Sequence, residues 1–308
     1  MRIVITGGLG HIGSRLLQVL PQQFPGAELV VLDNLLTQRY CALFNLPAGA
    51  RYRLLEQDIL KADLLPVLQG ADAVVHLAAI TDAASSFDKA AEVEAVNFTG
   101  TMRVAEACAA LGVPLLFFST TSVYGVQDGV VDEQCPLEDL KPQSPYAESK
   151  LKSEQWLAAL PDLRHVVLRF GTIFGVSPGI RFHTAVNKFV WQAMNGQPIT
   201  VWRTALHQKR PYLDLNDGVA AIAHVIRQSL FNRQVYNVVT ENYTVNDIVE
   251  TIRQHVPDLQ VELVDSRIMN QLSYHVSGAR FAATGFGVNG SLQQAIADTV
   301  ALLSGLRA

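Results

Sequence analysis

The chain has 308 residues, a formal net charge of −4, 17% charged residues and 49% apolar ones, a balance that excludes an intrinsically disordered protein and suits one large α/β unit or two lobes. That acidic balance offers no basic field for a nucleic-acid backbone, so no nucleic-acid partner is expected. Cys41, Cys108 and Cys135 are isolated and odd in number, which fits neither a metal site nor a disulfide framework, and no metal is expected.

Ile3–Thr6 reads as a first strand, continuously apolar up to its last residue, as a strand covered on both faces requires. Met1 leads straight into it without a charged-then-apolar leader, and no apolar stretch reaches the ~20 residues that span a bilayer. A cytoplasmic protein that does not enter a membrane is the expectation. The turn Thr6-Gly7-Gly8-Leu9-Gly10-His11-Ile12-Gly13 follows, then a helix over Ile12–Leu20. In this strand–turn–helix setting, Gly7, Gly10 and Gly13 let the backbone turn tightly and approach a pyrophosphate, which rests on the helix N-terminus. Glu28–Leu32 is a second strand, closed by Asp33, 20 residues after Gly13. An acid there binds the adenosine ribose 2′-hydroxyl and repels a 2′-phosphate, which favours NAD over NADP; Arg39 leaves NADP open.

Helical patterns near Lys61–Leu68, Ala91–Leu111 and Pro145–Leu160 alternate with apolar strands over Ala73–Leu77, Leu115–Ser119 and His165–Phe170. That alternation predicts an α/β fold, a Rossmann doubly wound parallel sheet. After Gly175 the rhythm changes. Helices are expected over Thr184–Asn195, Asp217–Ser229, Thr244–His255 and Ser291–Leu303, with strands at Gln234–Val239 and Val261–Val264. The layout expected is a cofactor lobe of residues 1–175, with 213–240 packing back onto it. A smaller discontinuous C-terminal substrate lobe would come from 176–212 and 241–308.

The residues that carry chemistry stand in two segments. Ser119-Thr120-Thr121-Ser122-Val123-Tyr124-Gly125 follows an apolar strand, and Tyr146-Ala147-Glu148-Ser149-Lys150 opens a helix. At i and i+4, Tyr146 and Lys150 lie on one helical face. A phenol with a pKa near 10 is a poor base, but a nearby ammonium and a positive nicotinamide ring favour the phenolate. Tyr146 can then exchange a proton with a substrate hydroxyl while hydride moves to or from the cofactor, with a Ser/Thr hydroxyl sharing the same oxygen.

These segments together resemble the extended short-chain dehydrogenase/reductase superfamily, in its nucleotide-sugar epimerase/dehydratase branch. The resemblance covers essentially the whole chain. It extends to Asp58-Ile59, His76-Leu77-Ala78-Ala79, Asn97 with Gly100-Thr101, Ser144-Pro145-Tyr146, and Leu168-Arg169 before Phe174-Gly175. It implies NAD held by Gly7, Gly10, His11, Ile12, Gly13, Asp33, Asn34, Asp58, Ile59, Leu77, Ala78, Ala79, Asn97 and Lys150. Asp58 and Ile59 would flank the adenine, and Lys150 would hold the nicotinamide ribose. Thr120 falls at the catalytic Ser/Thr position beside Tyr146.

The resemblance also implies a nucleotide-diphosphate sugar as substrate, met by Thr81, Ser86, Thr121, Ser122, Thr172, Asn187, Trp202, Arg210 and Arg267. The two arginines would grip the diphosphate through charge-assisted bonds. Trp202 stands either beside the nucleobase or in the core. His183 and His207 either line that pocket or face solvent, and His76 is expected to be structural, bonded to backbone. A homodimer is implied, paired through the helices that hold Glu92–Leu111 and that begin at Tyr146.

Departures from the family narrow the chemistry. Where the 4,6-dehydratases follow the Thr120 position with Asp-Glu, this chain has Thr121 and Ser122, which cannot act as acid and base at neutral pH. Decarboxylases, which keep the Glu, are disfavoured for the same reason. Thr172 replaces the family's Asn, and Arg203–Lys209 replaces a Gly-rich run, which points away from plain UDP-glucose or UDP-galactose. The leading expectation is an NAD-dependent epimerase acting at C4. The alternatives are an NAD(P)H-dependent 4-keto-sugar-nucleotide reductase, a non-catalytic dinucleotide sensor, and a dehydrogenase of a small metabolite such as L-threonine.

Overall fold

The computed structural model describes residues 1–83, 85–127, 129–265 and 274–306. Strand β1 (Arg2–Thr6) turns into α1 (His11–Gln23), followed by β2 (Glu28–Asp33) and β3 (Arg51–Glu56). Next come α2 (Leu64–Leu68), β4 (Ala73–His76), α3 (Ala90–Val93), α4 (Gly100–Leu111) and β5 (Leu115–Thr120). Strand β6 (Val130–Val131) precedes α5 (Pro145–Ala159), β7 (His165–Phe170) and β8 (Thr172–Phe174). The remainder comprises α6 (Ala185–Met194), β9 (Ile199–Trp202), β10 (Lys209–Asp214), α7 (Leu215–Gln228) and β11 (Val235–Val238). It ends with β12 (Glu241–Thr244), α8 (Val245–Arg253), β13 (Val261–Val264), β14 (His275–Val276), α9 (Ala279–Ala282) and α10 (Leu292–Leu302).

Seven parallel strands form the main sheet in the order β11-β7-β5-β4-β1-β2-β3, the Rossmann arrangement, with the strand order reversing between β1 and β4. Helices cover both faces because the strands are apolar on both. On one face Leu16, Leu17 and Leu20 of α1 pack with Val219, Ile222 and Ile226 of α7 over Ile3 and Ile5. On the other, Leu68, Val104, Cys108 and Leu157, from α2, α4 and α5, cover Val4, Val74 and Phe117. Each such aliphatic side chain contributes about 1.5–3 kcal/mol by leaving water. Around residue 175 the chain leaves the sheet. A second core gathers α6, α8, α10, β9 and β10 around Phe174, Val190, Ile248 and Ile296. Strand β11 and helix α7 return to the main sheet.

Two local patterns read differently in three dimensions. Strand β3 (Arg-Tyr-Arg-Leu-Leu-Glu) was absent from the expected elements because charged residues interrupt it; it is the sheet's outer strand, paired on one side only, where such residues reach water. The helix expected as continuous over Ala91–Leu111 is α3 and α4 joined by a π-helical segment, Glu94–Thr99, which carries Asn97. Among the described residues no helix is long and apolar enough to cross a membrane.

The glycine turn is held by close contact. A Cβ on Gly13 would lie 2.4 Å from the Gly8 carbonyl oxygen, and one on Gly7, at φ +65°, would lie 2.6 Å from the Ala78 backbone. Gly13→Ala therefore forces α1 away from the turn, and a loss of about 1–3 kcal/mol is expected. A denaturation midpoint equal to wild type would refute this account of the packing.

Candidate active site

A cavity of about 500 Å³ opens at the C-terminal ends of β1, β4 and β5, where the strand order reverses. Its floor is the glycine turn. Gly10 is the N-cap of α1 and supplies no side-chain cap, so the first-turn N–H groups remain available to an anion. Asp33 ties the turn to β2, its Oδ2 accepting from the Leu9 N–H at 3.0 Å and its Oδ1 from the Leu35 N–H at 2.9 Å. Asn34, Asp58, Ile59, Leu77, Ala78 and Ala79 continue the same wall. A cradle that only glycine backbone can form, beside an uncapped helix end and a carboxylate at the tip of β2, fits a dinucleotide.

Helix α5 brings Tyr146 and Lys150 in. Ser144 caps it, its hydroxyl accepting the Ala147 N–H at 3.2 Å, and Pro145 starts it with φ already helical. Tyr146 and Lys150 then face the cavity with Thr120 from the end of β5. The Thr120 hydroxyl donates to Ser122 Oγ at 3.1 Å and accepts the Ser122 N–H at 3.1 Å. Thr81, Ser122, Thr172 and Arg210 line the same space.

Other sequence-based candidates do not line it. Asn97 is fully buried; its amide takes the Ile80 N–H at 2.8 Å and donates to the Ile80 carbonyl at 2.9 Å and to Ser149 Oγ at 3.2 Å, so it braces the cavity wall from behind. Asn187 accepts the Gly175 N–H at 3.1 Å and donates to the Arg181 carbonyl at 3.0 Å. Thr121 donates to the Phe170 carbonyl at 3.4 Å and Ser86 to the Ala83 carbonyl at 2.7 Å. Trp202 sits 39% exposed at the end of β9, outside both the cavity lining and the core. Arg267 lies outside the described residues. His76 is bonded to side chains rather than backbone, with Nδ1 2.7 Å from the Thr6 hydroxyl and Nε2 3.0 Å from that of Thr101.

Further lining residues arrive on two loops, His183 among them, so of its two expected places it takes the pocket. Leu36, Thr37 and Arg39 come from the segment after β2, and Arg181, His183 and Thr184 from the segment before α6. The second loop crosses the glycine turn. Its Gly179 N–H donates to Ser14 Oγ at 2.9 Å, and Arg39 Nη1 donates to the Gly179 carbonyl at 2.9 Å. His11, buried and with a pKa lowered to about 4 chiefly by that burial, is neutral. Facing the Gly175 carbonyl at 2.9 Å, its Nε2 must carry the proton. No local pattern marks Leu36, Thr37, Arg181 and Thr184 as cavity residues, because the two loops are about 140 positions apart.

The electrostatics correct one expectation. Burial pushes the Tyr146 phenol up to about 12, and the groups pulling it back are the Thr120 hydroxyl and the Arg181 guanidinium rather than Lys150. Lys150 Nζ lies 4.8 Å over the Phe117 ring. Burial lowers Lys150 to about 7, opposed by the charge of Glu154. Arg181 also donates to Thr81 Oγ1, which joins the two sides of the cavity above Tyr146.

A doubly wound sheet with a glycine cradle at its switch point and a Thr-Tyr-Lys set at the mouth defines an extended short-chain dehydrogenase/reductase. The chain belongs to the NAD dependent epimerase/dehydratase family, whose profile matches residues 3–238. It is 30% identical over 236 residues to an uncharacterized UDP-glucose epimerase of Bacillus subtilis, a match spanning 73% of this chain and 72% of that one. It is 28% identical over 316 residues to an Arabidopsis thaliana trifunctional UDP-glucose 4,6-dehydratase/UDP-4-keto-6-deoxy-D-glucose 3,5-epimerase/UDP-4-keto-L-rhamnose-reductase. That match takes in 97% of this chain but 46% of the plant protein, so the chain spans about half the plant enzyme's length. In structure it resembles the UDP-glucose 4-epimerase of Thermus thermophilus in complex with NAD, with a TM-score of 0.85, 26% identity and 99% of each chain covered.

The buried imidazoles make stability depend on pH. His11 and His76, lowered by burial to about 4 and about 3, stay neutral in the fold where the unfolded chain takes up protons below about 6.5. Stability therefore falls as pH drops from about 6.5 toward 4, by up to about 1.4 kcal/mol per pH unit for each ring. Denaturant midpoints at pH 7, 6 and 5 should fall less steeply in His11→Gln than in wild type. Parallel slopes would mean that His11 is charged in the fold.

Proposed function

We propose that the protein is an NAD-dependent epimerase of a nucleotide-diphosphate sugar, acting most directly at C4. The observation that carries this reading is the meeting of Thr120, Tyr146 and Lys150 in one cavity with the glycine cradle, while Thr121 and Ser122 stand where dehydratases place an acid and a base. The relatives' names, which include UDP-glucose epimerase and UDP-glucose 4-epimerase with NAD, support it. The cofactor would rest on Gly7, Gly10, His11, Ile12 and Gly13, with Asp33 at the adenosine ribose and Lys150 at the nicotinamide ribose. When bound, NAD supplies a hydride acceptor that can later return the hydride.

The chain's own residues handle the proton. Thr120 orients the sugar hydroxyl by hydrogen bonding, and Tyr146, whose phenolate Arg181 and a positive nicotinamide ring would favour against the burial that raises it, takes its proton. The ring carbon becomes a carbonyl, whose oxygen Thr120 and the new phenol continue to hold. After the keto-sugar turns over, Tyr146 gives the same proton back as the carbon is reduced from its other face. The proton given back balances the one taken, and with the hydride that bound NAD would return, the conversion would be redox-neutral. Arg210 would bind the diphosphate. The same reading takes residues 1–175 and 213–240 as the cofactor lobe and 176–212 with 241–308 as the substrate lobe. It also takes the protein as a cytoplasmic homodimer joined through the α4 and α5 faces.

Proton NMR of the protein with NAD and a panel of UDP-, GDP-, CDP- and dTDP-sugars tests it. A new sugar-nucleotide anomeric signal without net NADH is the expected result. Conversion seen only with NAD(P)H and a keto-sugar would move the assignment to a reductase. Tyr146→Phe should lower turnover by about 10²-fold or more with NAD affinity retained; wild-type turnover would remove Tyr146 from the mechanism. Asp33→Asn keeps an acceptor for a backbone N–H and removes the charge that repels a 2′-phosphate. NADP binding should tighten in that variant, and an unchanged NAD/NADP ratio would place ribose recognition elsewhere.

A further inference from the structure

Behind the reacting residues lies a buried ion pair that the proposed chemistry leaves unused. Glu154 follows Lys150 by four positions on α5, so Tyr146, Lys150 and Glu154 form one face at i, i+4 and i+8. Both side chains of the pair are 6% exposed. Arg169, on β7, donates Nε to the two carboxylate oxygens at 3.0 and 3.2 Å and Nη2 to Oε2 at 2.7 Å. Its guanidinium carbon lies 5.0 Å from the Tyr124 ring centroid, and the Tyr124 hydroxyl donates to Asn237 Oδ1 at 2.9 Å. Burying two charges gains little over apolar packing, so stability alone does not account for the pair.

The neighbour that can use it is Lys150, which is 3% exposed. From β4 it is faced by His76, neutral through burial, and from β5 by the uncharged Phe117 and Ser119. The π-helical segment carries the uncharged Asn97, bonded to Ser149 next to Lys150 in sequence, and α5 itself contributes Tyr146 and Glu154. Glu154 is the acid of this set. We propose that the Glu154 carboxylate, fixed by Arg169 one helical turn from Lys150, is the positioning residue that favours the ammonium form of Lys150 on the face it shares with Tyr146. Burial brings Lys150 down to about 7, and the charge of Glu154 is what opposes that fall. Burial also works against the Arg169 charge, but Glu154 outweighs it and raises the pKa of the guanidinium, so Arg169 stays a fixed cation. Removing the Glu154 charge lets Lys150 lose its proton at a lower pH.

The inference rests on the role proposed for Lys150, but its readout is a property of the lysine and does not depend on the substrate. The protonation midpoint of Lys150 is measured by competitive acetylation with acetic anhydride across pH, read by peptide mass spectrometry on the whole folded protein. Glu154→Gln should lower the midpoint by about one pH unit or more, and Glu154→Asp should restore most of it. With a converted sugar nucleotide in hand, the alkaline fall of kcat should begin at a correspondingly lower pH in Glu154→Gln. A folded Glu154→Gln protein with the wild-type midpoint would overturn the proposal, as would a uniform loss of kcat at every pH. Because Glu154→Gln leaves the Arg169 charge buried without a counter-ion, Glu154→Met/Arg169→Met serves as the second variant. It too should show the lowered midpoint, and an unmoved one would be equally decisive against.

Discussion

Burying the cation of Lys150 is the constraint on which the rest of the site depends. An ammonium taken out of water costs several kcal/mol unless charge or hydrogen bonds replace its hydration. Burial lowers Lys150 to about 7, and that cost is offset in part by a phenyl face on β5 and a carboxylate one turn along α5, itself held by an arginine on β7. These groups come from three adjacent elements of the main sheet and its covering layer.

A second constraint is the loop that crosses the glycine turn. Gly179 approaches the turn so closely that a Cβ would meet the Leu9 and Gly10 carbonyl oxygens at 2.7 Å, and Ser14, Arg39 and His11 hold the loop there. The loop also delivers Arg181, which influences Tyr146 and donates to Thr81. One short segment therefore crosses the glycine turn and also reaches the Tyr146 phenol. At Tyr146 burial is opposed first by the Thr120 hydroxyl and then by this loop's Arg181, and at Lys150 by the charge of Glu154.

The family frame is shared by enzymes with different outcomes, as the dehydratase, epimerase and reductase names of the plant relative illustrate. What separates them is which side chains stand next to the common Thr-Tyr-Lys set. Here Thr121 is turned to the Phe170 carbonyl and Ser122 is bonded to Thr120, so neither place offers a carboxylate. The carboxylates that do line the cavity are Asp33, Asp58 and Asp82.

The sequence by itself determined what is local. The glycine turn, Asp33 at the end of β2, Tyr146 and Lys150 one helical turn apart, and the apolar central strands all follow from spacing and periodicity, because neighbouring positions impose them. Strand β3 was hidden because an edge strand tolerates charges, and β10 because Pro211 falls within it, just before the pairing with β8 begins at Tyr212. Only the tertiary structure decided which polar residues reach the cavity. It turned Asn97, Asn187, Thr121 and Ser86 into internal braces, left Trp202 at the surface, and brought in Arg39 and Arg181 from distant loops. The physical reason is that a side chain's partner across a fold is set by loop paths and sheet order, neither of which leaves a period in the chain.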